Sequence, residues 1–249
     1  MNWWRWAERA ILRLTTRAIN ARGMFLLQQV PLALDHEQAN FLDLRRQWIA
    51  GEPKGNDLDL VRLAFLVINI RALEAAGVPG AFAELGVWRG NSAKVIHSVA
   101  PERELYLLDT FEGLPAERSA FDPASGSSRH FADVSVETVR NFIGRSERVH
   151  FVVGGFPESA RFIPGEERFA FVHLDCDLYE PVKAALEFFY PRMSRRGLIV
   201  VHDFASGRWP GVTRAVDEFL ADKPEAPVVI PDTSGSAAIA CCGDEGGRL

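Results

Sequence analysis

From Ala81 onward, the chain alternates short apolar runs with segments in which apolar residues recur every three or four positions. The short runs predict strands, and the segments between them predict helices. This alternation is typical of a mostly parallel sheet that is covered by helices on both faces. The last two apolar runs, PVVI and AIACC, are joined only by PDTSGS, which is too short for a crossover helix. We therefore predict an antiparallel hairpin at one edge of the sheet.

Three helical patterns precede this region, over residues 3–20, 36–50 and 57–76. The third pattern predicts a helix that Asp57 caps and that ends before Gly77. We expect residues 1–56 to form an N-terminal helical extension and residues 57–249 to form one α/β domain.

The composition is that of an ordinary globular protein, with 249 residues, 47% hydrophobic, 24% charged and a net charge of -5. A chain of this length buries a core without needing disulfides. Its mildly acidic charge argues against nucleic-acid binding, and no apolar run approaches the roughly 18 residues of a membrane span. The chain has three cysteines, two of them adjacent. Because this set cannot form a disulfide framework, we expect a reducing compartment and a cytoplasmic protein.

Residues 3–20 depart from this acidic character. Apolar positions at three-four spacing define one face of the predicted helix, and arginines at every fourth position from Arg5 to Arg17 define another. Residues 1–22 contain five arginines and one glutamate, a net charge of +4. Two interpretations stay open. Either the apolar face packs in a homodimer, which we favour, or the helix makes peripheral contact with an anionic membrane surface.

Residues at the carboxyl ends of the predicted strands are the first candidates for function, because ligands of open parallel sheets bind there. The first strand is followed by a glycine turn, Gly86-Val87-Trp88-Arg89-Gly90, ahead of a helix N-terminus. The second strand ends at Asp109, where a carboxylate can accept both hydroxyl protons of a ribose. Bulky residues between the glycines differ from the G-x-G-x-x-G of dinucleotide sites. The pattern predicts a nucleoside with a small zwitterion and disfavours a nicotinamide oxidoreductase.

The fourth and fifth predicted strands end at Asp175 and at His202-Asp203. These strands are expected to be neighbours, so the three side chains are expected to meet. Two carboxylates and an imidazole can hold a divalent cation, for which the oxygens favour Mg²⁺ while the histidine admits Mn²⁺ or a heavier ion. Such a cation can bind and deprotonate a vicinal diol. The alternative is that both aspartates cap the helices that follow.

Three residues beside these strand ends are predicted to be structural. Asp177 stands at capping-box spacing from Glu180, ahead of an apolar helix. His173 lies within a strand and is expected to be buried with its hydrogen bonds satisfied. Cys176 has no evident histidine as a base, so we expect a small apolar filler rather than a nucleophile.

Five segments follow one another in the order AELGVWRGNSA, LLDTFEGLP, HLDCDLYEPVKAAL, IVVHDF and GVTRAVDEF. Together they resemble the successive motifs of the macrocin O-methyltransferase (TylF/MycF-like) family of S-adenosylmethionine-dependent sugar methyltransferases, over roughly residues 57–240. The resemblance implies a class I methyltransferase fold, which is Rossmann-like and has a seven-stranded sheet whose last strand is antiparallel.

The resemblance also implies roles for residues by position. S-adenosylmethionine would be bound by residues of the first two strand ends, namely Glu84, Gly86, Val87, Trp88, Arg89, Gly90, Asp109, Thr110, Phe111 and Glu112. A divalent metal, Mg²⁺ or alternatively Mn²⁺, would be held by Asp175, His202 and Asp203, with Asp175 also the catalytic base. The family usually has two acids where this chain has His202 and Asp203, so the histidine removes one negative charge from the set.

The implied function is metal-assisted O-methylation of a hydroxyl on a sugar or glycosylated small molecule. A non-sugar, catechol-like acceptor is an alternative that the sequence does not separate from it. A further alternative is a nucleoside-binding protein of the same fold without turnover, against which the intact Asp175 and Asp203 argue.

Overall fold

The computed structural model describes residues 59–115, 118–123 and 131–242. The strands found there are β1 (Ala81–Leu85), β2 (Leu105–Asp109), β3 (Val149–Val153), β4 (Phe169–Leu174), β5 (Met193–Val201), β6 (Val228–Val229) and β7 (Ala237–Ala240). The α-helices are α1 (Leu60–Ala75), α2 (Asn91–Val99), α3 (Val136–Ile143), α4 (Tyr179–Phe189) and α5 (Pro210–Leu220). Two short 3₁₀ helices span Glu158–Phe162 and Tyr190–Arg192.

The strands form one sheet in the order β3-β2-β1-β4-β5-β7-β6. Within the group β1 to β5, neighbouring strands pair in parallel, whereas β7 is antiparallel to both β5 and β6. This is the predicted seven-stranded sheet with an antiparallel last strand, and the predicted hairpin of the last two strands is confirmed. Because the short β6–β7 connection cannot cross the sheet, the chain turns back beside the strand that it has just formed.

The helix predicted over residues 57–76 is present, but its cap is Asp59 rather than Asp57. The Asp59 side chain accepts a hydrogen bond from the backbone N–H of Arg62 at 3.2 Å. The helix ends at Ala75, just before Gly77 with a φ of +61°. A residue in this left-handed region ends a helix, and glycine adopts it without steric cost.

The core lies against both faces of the sheet. On one face, alternate residues of the central strands pack in a single cluster with α4 and α5, which includes Leu85, Leu174, Val201, Phe189 and Val212. On the opposite face, Phe82 and Phe171 are also buried, and their rings meet edge-on with centroids 5.6 Å apart. Burial on both faces explains why the strand sequences read as continuous apolar runs rather than alternating ones.

The predicted helices over residues 3–20 and 36–50, and the domain boundary at residue 56, lie outside the described residues. In the part of the chain that is described, none of the helices is both long and apolar enough to cross a membrane.

Candidate active site

A cavity of about 1300 Å³ opens at the carboxyl ends of β1 to β5. Its wall includes the segments that directly follow these strands, residues 86–92, 109–110, 112–115, 154–156, 175–178 and 202–203. Parallel pairing brings these segments to one edge of the sheet, which is where open α/β sheets bind ligands. Pockets for one small ligand measure about 300–1,000 Å³. The cavity therefore has room for two ligands side by side.

The turn after β1 presents its backbone to this cavity. Gly86 has a φ of +89° and Gly90 a φ of +81°, and Trp88 between them also has a positive φ of +44°. Gly90 is the N-cap of α2, and no side chain caps that helix end. Residues 86–90, predicted as cofactor-binding, all line the cavity. The turn thus offers a helix N-terminus at which an anionic group is favourably placed.

Asp109 lies at the end of β2 and holds the shape of this turn. Its Oδ2 accepts hydrogen bonds from the backbone N–H groups of Val87 and Trp88 at 2.7 and 2.8 Å, and its Oδ1 accepts one from Phe111 at 2.7 Å. A carboxylate offers about four acceptor positions, so about one remains for a ribose hydroxyl. Asp109 therefore acts first as a positioning residue, with less capacity for ribose than the sequence suggests.

The other predicted residues after β2 separate into two groups. Thr110 and Glu112 line the cavity, as Asp109 does. Phe111 does not belong to the cavity wall, because it is buried, with its ring tilted against that of Phe151 at 6.3 Å.

Glu84 also lies off the cavity wall, fully buried on β1. Its Oε1 is 2.7 Å from Nδ1 of His173, its register partner on β4. The Glu84 Oε2 and His173 Nε2 atoms are buried and have no hydrogen-bond partner among the described residues. Glu84 therefore supports the sheet beneath the turn, and His173 is buried as predicted with one ring nitrogen bonded instead of two.

Asp133 forms a contact at the rim of the cavity that the sequence did not indicate. Its Oδ1 accepts a hydrogen bond from Nε1 of Trp88 at 2.8 Å, and its Oδ2 pairs with the guanidinium of Arg89. Hydrogen bonds from Arg89 and Trp88 lower the pKa of Asp133. The Trp88 ring also meets Phe131 edge-on at 4.9 Å. The glycine turn after β1 is thus held to the segment that precedes α3 by these contacts.

Asp175, His202 and Asp203 meet as the strand positions predict, and we call them the acidic cluster. The Nδ1 of His202 lies 2.7 Å from Oδ1 of Asp175 and 2.8 Å from Oδ2 of Asp203. This nitrogen is buried, yet neither contact has the alignment of a hydrogen bond. One ligand atom from each residue lies within 4.8 Å of the others. The three side chains therefore form an ion-paired group whose ligand atoms are close enough together to hold a cation.

The charges in the acidic cluster shift its pKa values in opposite directions. Burial alone raises the pKa of Asp175, but the charges of His202 and Arg62 outweigh it and hold that pKa well below its usual range. Burial alone lowers the pKa of His202, but the neighbouring carboxylates, Asp175 foremost, raise it to about 9. The cluster therefore favours a positive charge between its two carboxylates.

Arg62 on α1 is a site residue that sequence reasoning missed. Its Nη1 donates to Oδ2 of Asp175 at 3.2 Å, and its Nε lies 3.4 Å from Asp59. Arg62 stands four positions before Leu66 and eight before Ile70, both fully buried. A charged residue on the buried face of a helix needs a partner, and that was the available signal.

Asp177 does not cap α4, so the capping-box prediction is wrong. The N-cap residue is Leu178, without a side-chain cap, and the backbone N–H of Tyr179 donates instead to Asp122 at 2.9 Å. Asp177 has a φ of +65°, is buried and lines the cavity. Its carboxylate makes no hydrogen bond within the described chain. Burial and the charges of Asp175 and Asp203 raise its pKa well above the usual range.

Cys176 lies between these aspartates and is half-buried. Burial, followed by the charges of Asp177 and Asp175, raises the pKa of its thiol well above the usual range. Because the thiolate is the reactive form, this environment favours the predicted role as a small filler over that of a nucleophile.

Comparison with known families gives a match that covers most of the chain. The family described as Macrocin-O-methyltransferase (TylF) matches residues 58–236. The chain is 34% identical over 162 residues to the 8-demethyl-8-(2,3-dimethoxy-alpha-L-rhamnosyl)-tetracenomycin-C 4'-O-methyltransferase of Streptomyces olivaceus, covering 59% of this chain and 61% of the relative. It is 28% identical over 158 residues to the demethyldecarbamoylnovobiocin O-methyltransferase of Streptomyces niveus, covering 58% and 59%. The matches thus span about three fifths of the length of these relatives.

Among solved structures, the O-methyltransferase NovP is similar with a TM-score of 0.62 and 25% sequence identity. This similarity covers 82% of this chain and 90% of that structure.

Proposed function

The chain belongs to the macrocin-O-methyltransferase (TylF) family, and we propose that it transfers the methyl group of S-adenosylmethionine to a hydroxyl of a sugar or glycosylated small molecule. The observation that carries this proposal is the shared cavity of the glycine turn and the acidic cluster. The turn suits the cofactor, and the acidic cluster suits the acceptor hydroxyl. The name of the tetracenomycin relative specifies a rhamnosyl compound, which supports a sugar as the acceptor.

The cofactor is assigned to the part of the cavity between the ends of β1 and β2. The amino-acid end of S-adenosylmethionine would meet the backbone of residues 86–90, and its ribose would lie near Asp109, Thr110 and Glu112. The remaining volume toward Asp177 and His202 is left for the acceptor. Holding both ligands in this way would align the methyl carbon with the acceptor oxygen, and such alignment supplies much of the rate acceleration.

The reaction is an in-line displacement. The acceptor oxygen forms a bond to the methyl carbon, the carbon–sulfur bond of the sulfonium breaks, and the sulfur keeps the electron pair as S-adenosylhomocysteine. The hydroxyl proton passes to a carboxylate. We assign that role to Asp177 rather than Asp175, because Arg62 and His202 engage both oxygens of Asp175, whereas those of Asp177 are unengaged in the described chain. Proton acceptance by a positioned group contributes about 10²–10⁴-fold to rate.

A divalent metal fits the acidic cluster. A buried nitrogen without an aligned hydrogen bond, facing two carboxylate oxygens, has the donor chemistry of a cation site. Asp175, His202 and Asp203 would hold the ion, and Arg62 would orient Asp175 through the oxygen that faces away from His202. When bound, the ion would supply Lewis-acid polarisation of the acceptor hydroxyl.

Incubation of the purified chain with S-adenosylmethionine and a panel of glycosides tests this function. Mass spectrometry is expected to detect S-adenosylhomocysteine together with an acceptor that is about 14 Da heavier, because a methyl group replaces a hydrogen atom. Methylation of catechols but not glycosides would transfer the proposal to non-sugar acceptors. Binding of S-adenosylmethionine without turnover on either class would favour a nucleoside-binding role, and failure to bind the cofactor would refute the proposal.

The N-terminal segment carries a separate proposal. We propose that residues 3–20 assemble a homodimer, with peripheral contact to an anionic membrane as the alternative, and that the protein is cytoplasmic. Deletion of residues 1–22 is expected to convert a dimer to a monomer in light scattering while S-adenosylmethionine affinity is kept. Salt-sensitive binding of the full chain to anionic vesicles, lost on deletion without a change in mass, would favour the membrane contact.

A further inference from the structure

The acidic cluster presents a mixed donor set. Two of its ligand atoms are carboxylate oxygens and the third is the Nδ1 nitrogen of His202. The position of His202 is fixed by the fold, because its backbone N–H donates to the carbonyl of Leu174 on β4 at 2.8 Å. An ion within reach of both carboxylates is therefore also within reach of the imidazole.

The net negative charge around the acidic cluster is smaller than its two aspartates alone would give. The Arg62 guanidinium lies 3.2 Å from Asp175 Oδ2, and both side chains are largely withdrawn from solvent. A guanidinium keeps its charge at all ordinary pH values. It therefore weakens the attraction of the cluster for every divalent cation to a similar extent.

The nitrogen donor compensates for this loss unequally among metals. Mg²⁺ prefers oxygen ligands and is bound through carboxylates and retained waters, so an imidazole adds little to its affinity. First-row transition cations accept imidazole nitrogen well, and their affinity rises along the series from Mn²⁺ toward Cu²⁺. The balance of the two effects penalises Mg²⁺ more than its transition-metal competitors.

We propose, building on the proposed function, that the acidic cluster selects Mn²⁺ or a later first-row transition cation over Mg²⁺, with His202 as the selectivity-determining ligand. A matched substitution isolates the nitrogen. His202→Asp keeps a third potential ligand but makes the donor set all oxygen. His150→Gln is the control, because His150 is a partly exposed histidine on β3 that pairs with Glu104 at 2.6 Å, outside the acidic cluster.

The test measures Mn²⁺ binding to the full chain directly, by electron paramagnetic resonance, with Mg²⁺ added as the competitor. The wild type is expected to bind Mn²⁺ stoichiometrically, to release it only to a large excess of Mg²⁺, and to show ¹⁴N coupling in pulsed spectra. In His202→Asp the preference for Mn²⁺ over Mg²⁺ is expected to fall roughly tenfold or more, and the nitrogen coupling to vanish. His150→Gln is expected to match the wild type.

Three results would overturn the proposal: no Mn²⁺ binding, bound Mn²⁺ without nitrogen coupling in the wild type, or an unchanged Mn²⁺ to Mg²⁺ ratio in His202→Asp. The wild-type spectrum decides the matter even if the variant fails to fold. Calorimetry with S-adenosylmethionine on the same samples keeps the two proposals apart. Loss of cofactor binding with intact metal selectivity counts against the methyltransferase assignment alone.

Discussion

A Cβ atom on Gly86 would lie 1.9 Å from the main-chain carbonyl oxygen of Asp175. The glycine turn after β1 and the segment after β4 that begins with Asp175 are therefore in backbone contact, with no space for a side chain between them. The contact follows from parallel pairing, in which Leu85 lies opposite Leu174 and the backbone N–H of Asp175 donates to Leu85 at 2.8 Å. The two halves of the proposed site therefore meet at a close-packed backbone contact between Gly86 and Asp175.

The substitution Gly86→Ala tests this backbone contact. The substitution is expected to lower the free energy of unfolding through both its φ of +89° and the clash with Asp175. Gly77→Ala is the matched control, because Gly77 also has a positive φ of +61° but nothing within 4 Å of a Cβ. We expect roughly 1–2 kcal/mol for the control and about 1–3 kcal/mol more for Gly86→Ala, measured by urea unfolding. Equal losses would show that the turn is free to move away from Asp175.

Asp109→Asn is expected to destabilise the glycine turn after β1 even when no ligand is bound. An amide oxygen cannot replace both carboxylate oxygens, so backbone N–H groups of residues 87, 88 or 111 lose an acceptor. The unfolding free energy of the ligand-free protein is expected to fall by about 1–3 kcal/mol, with S-adenosylmethionine affinity roughly tenfold lower or more. Glu102→Gln, a change at an exposed residue outside the cavity wall, is the control for charge. Lower affinity at unchanged stability in Asp109→Asn would instead indicate direct ribose binding.

Asp177→Asn and Asp175→Asn are expected to fail in different ways. Removal of the proposed proton acceptor Asp177 is expected to lower kcat by about 10²–10⁴-fold and to leave cofactor affinity unchanged in calorimetry. Asp175→Asn is expected to abolish Mn²⁺ binding and, because the buried Arg62 guanidinium then loses the charge of the Asp175 carboxylate, to destabilise the fold as well. Near-normal turnover in Asp177→Asn would return the role of base to Asp175.

Removal of divalent metal is expected to stop methyl transfer without displacing S-adenosylmethionine. The acidic cluster lies in the part of the cavity that we propose for the acceptor, whereas S-adenosylmethionine is proposed to lie against the turn after β1. Turnover after exhaustive chelation and then addition of Mn²⁺ or Mg²⁺, with cofactor affinity in parallel, measures this. Full turnover of the chelated protein would rule out a metal role.

The rim contact of Asp133 is expected to depend on pH. Its pKa is lowered by Arg89 and Trp88, so the ionised carboxylate favours the contact above its ordinary pKa of about 3.9, and the contact is lost as pH falls through the lowered value. The indole N–H resonance of Trp88 is expected to stay constant from pH 7 to about 5 and to shift only in strong acid. Asp133→Asn is expected to remove that acid shift. A midpoint above the ordinary aspartate pKa would contradict the ion pair with Arg89.

Local sequence pattern was enough for the sheet and for the meeting of the acidic cluster. Apolar runs that alternate with helical segments require parallel strands, and parallel strands bring all their carboxyl ends to one edge. Asp175 and His202 each directly follow such a strand, so their encounter follows from topology alone. The short segment between β6 and β7 likewise forces an antiparallel return. These features depend on residues close in sequence or on the order of elements.

The pairing of individual polar groups was decided only by tertiary structure. Arg62 reaches Asp175 across 113 positions, and Asp122 caps the helix that local spacing assigned to Asp177, across 57 positions to Tyr179. Similarly, hydrogen bonds from backbone N–H groups occupy most of the acceptor positions of the Asp109 carboxylate, so few are left for a ligand. A hydrogen bond weakens when its donor–acceptor distance changes by a few tenths of an ångström. The exact position of each loop therefore decides which acceptor a given donor reaches. Sequence periodicity predicts which face of its helix or strand a side chain occupies, but it does not predict the donor–acceptor distance to a group on another element.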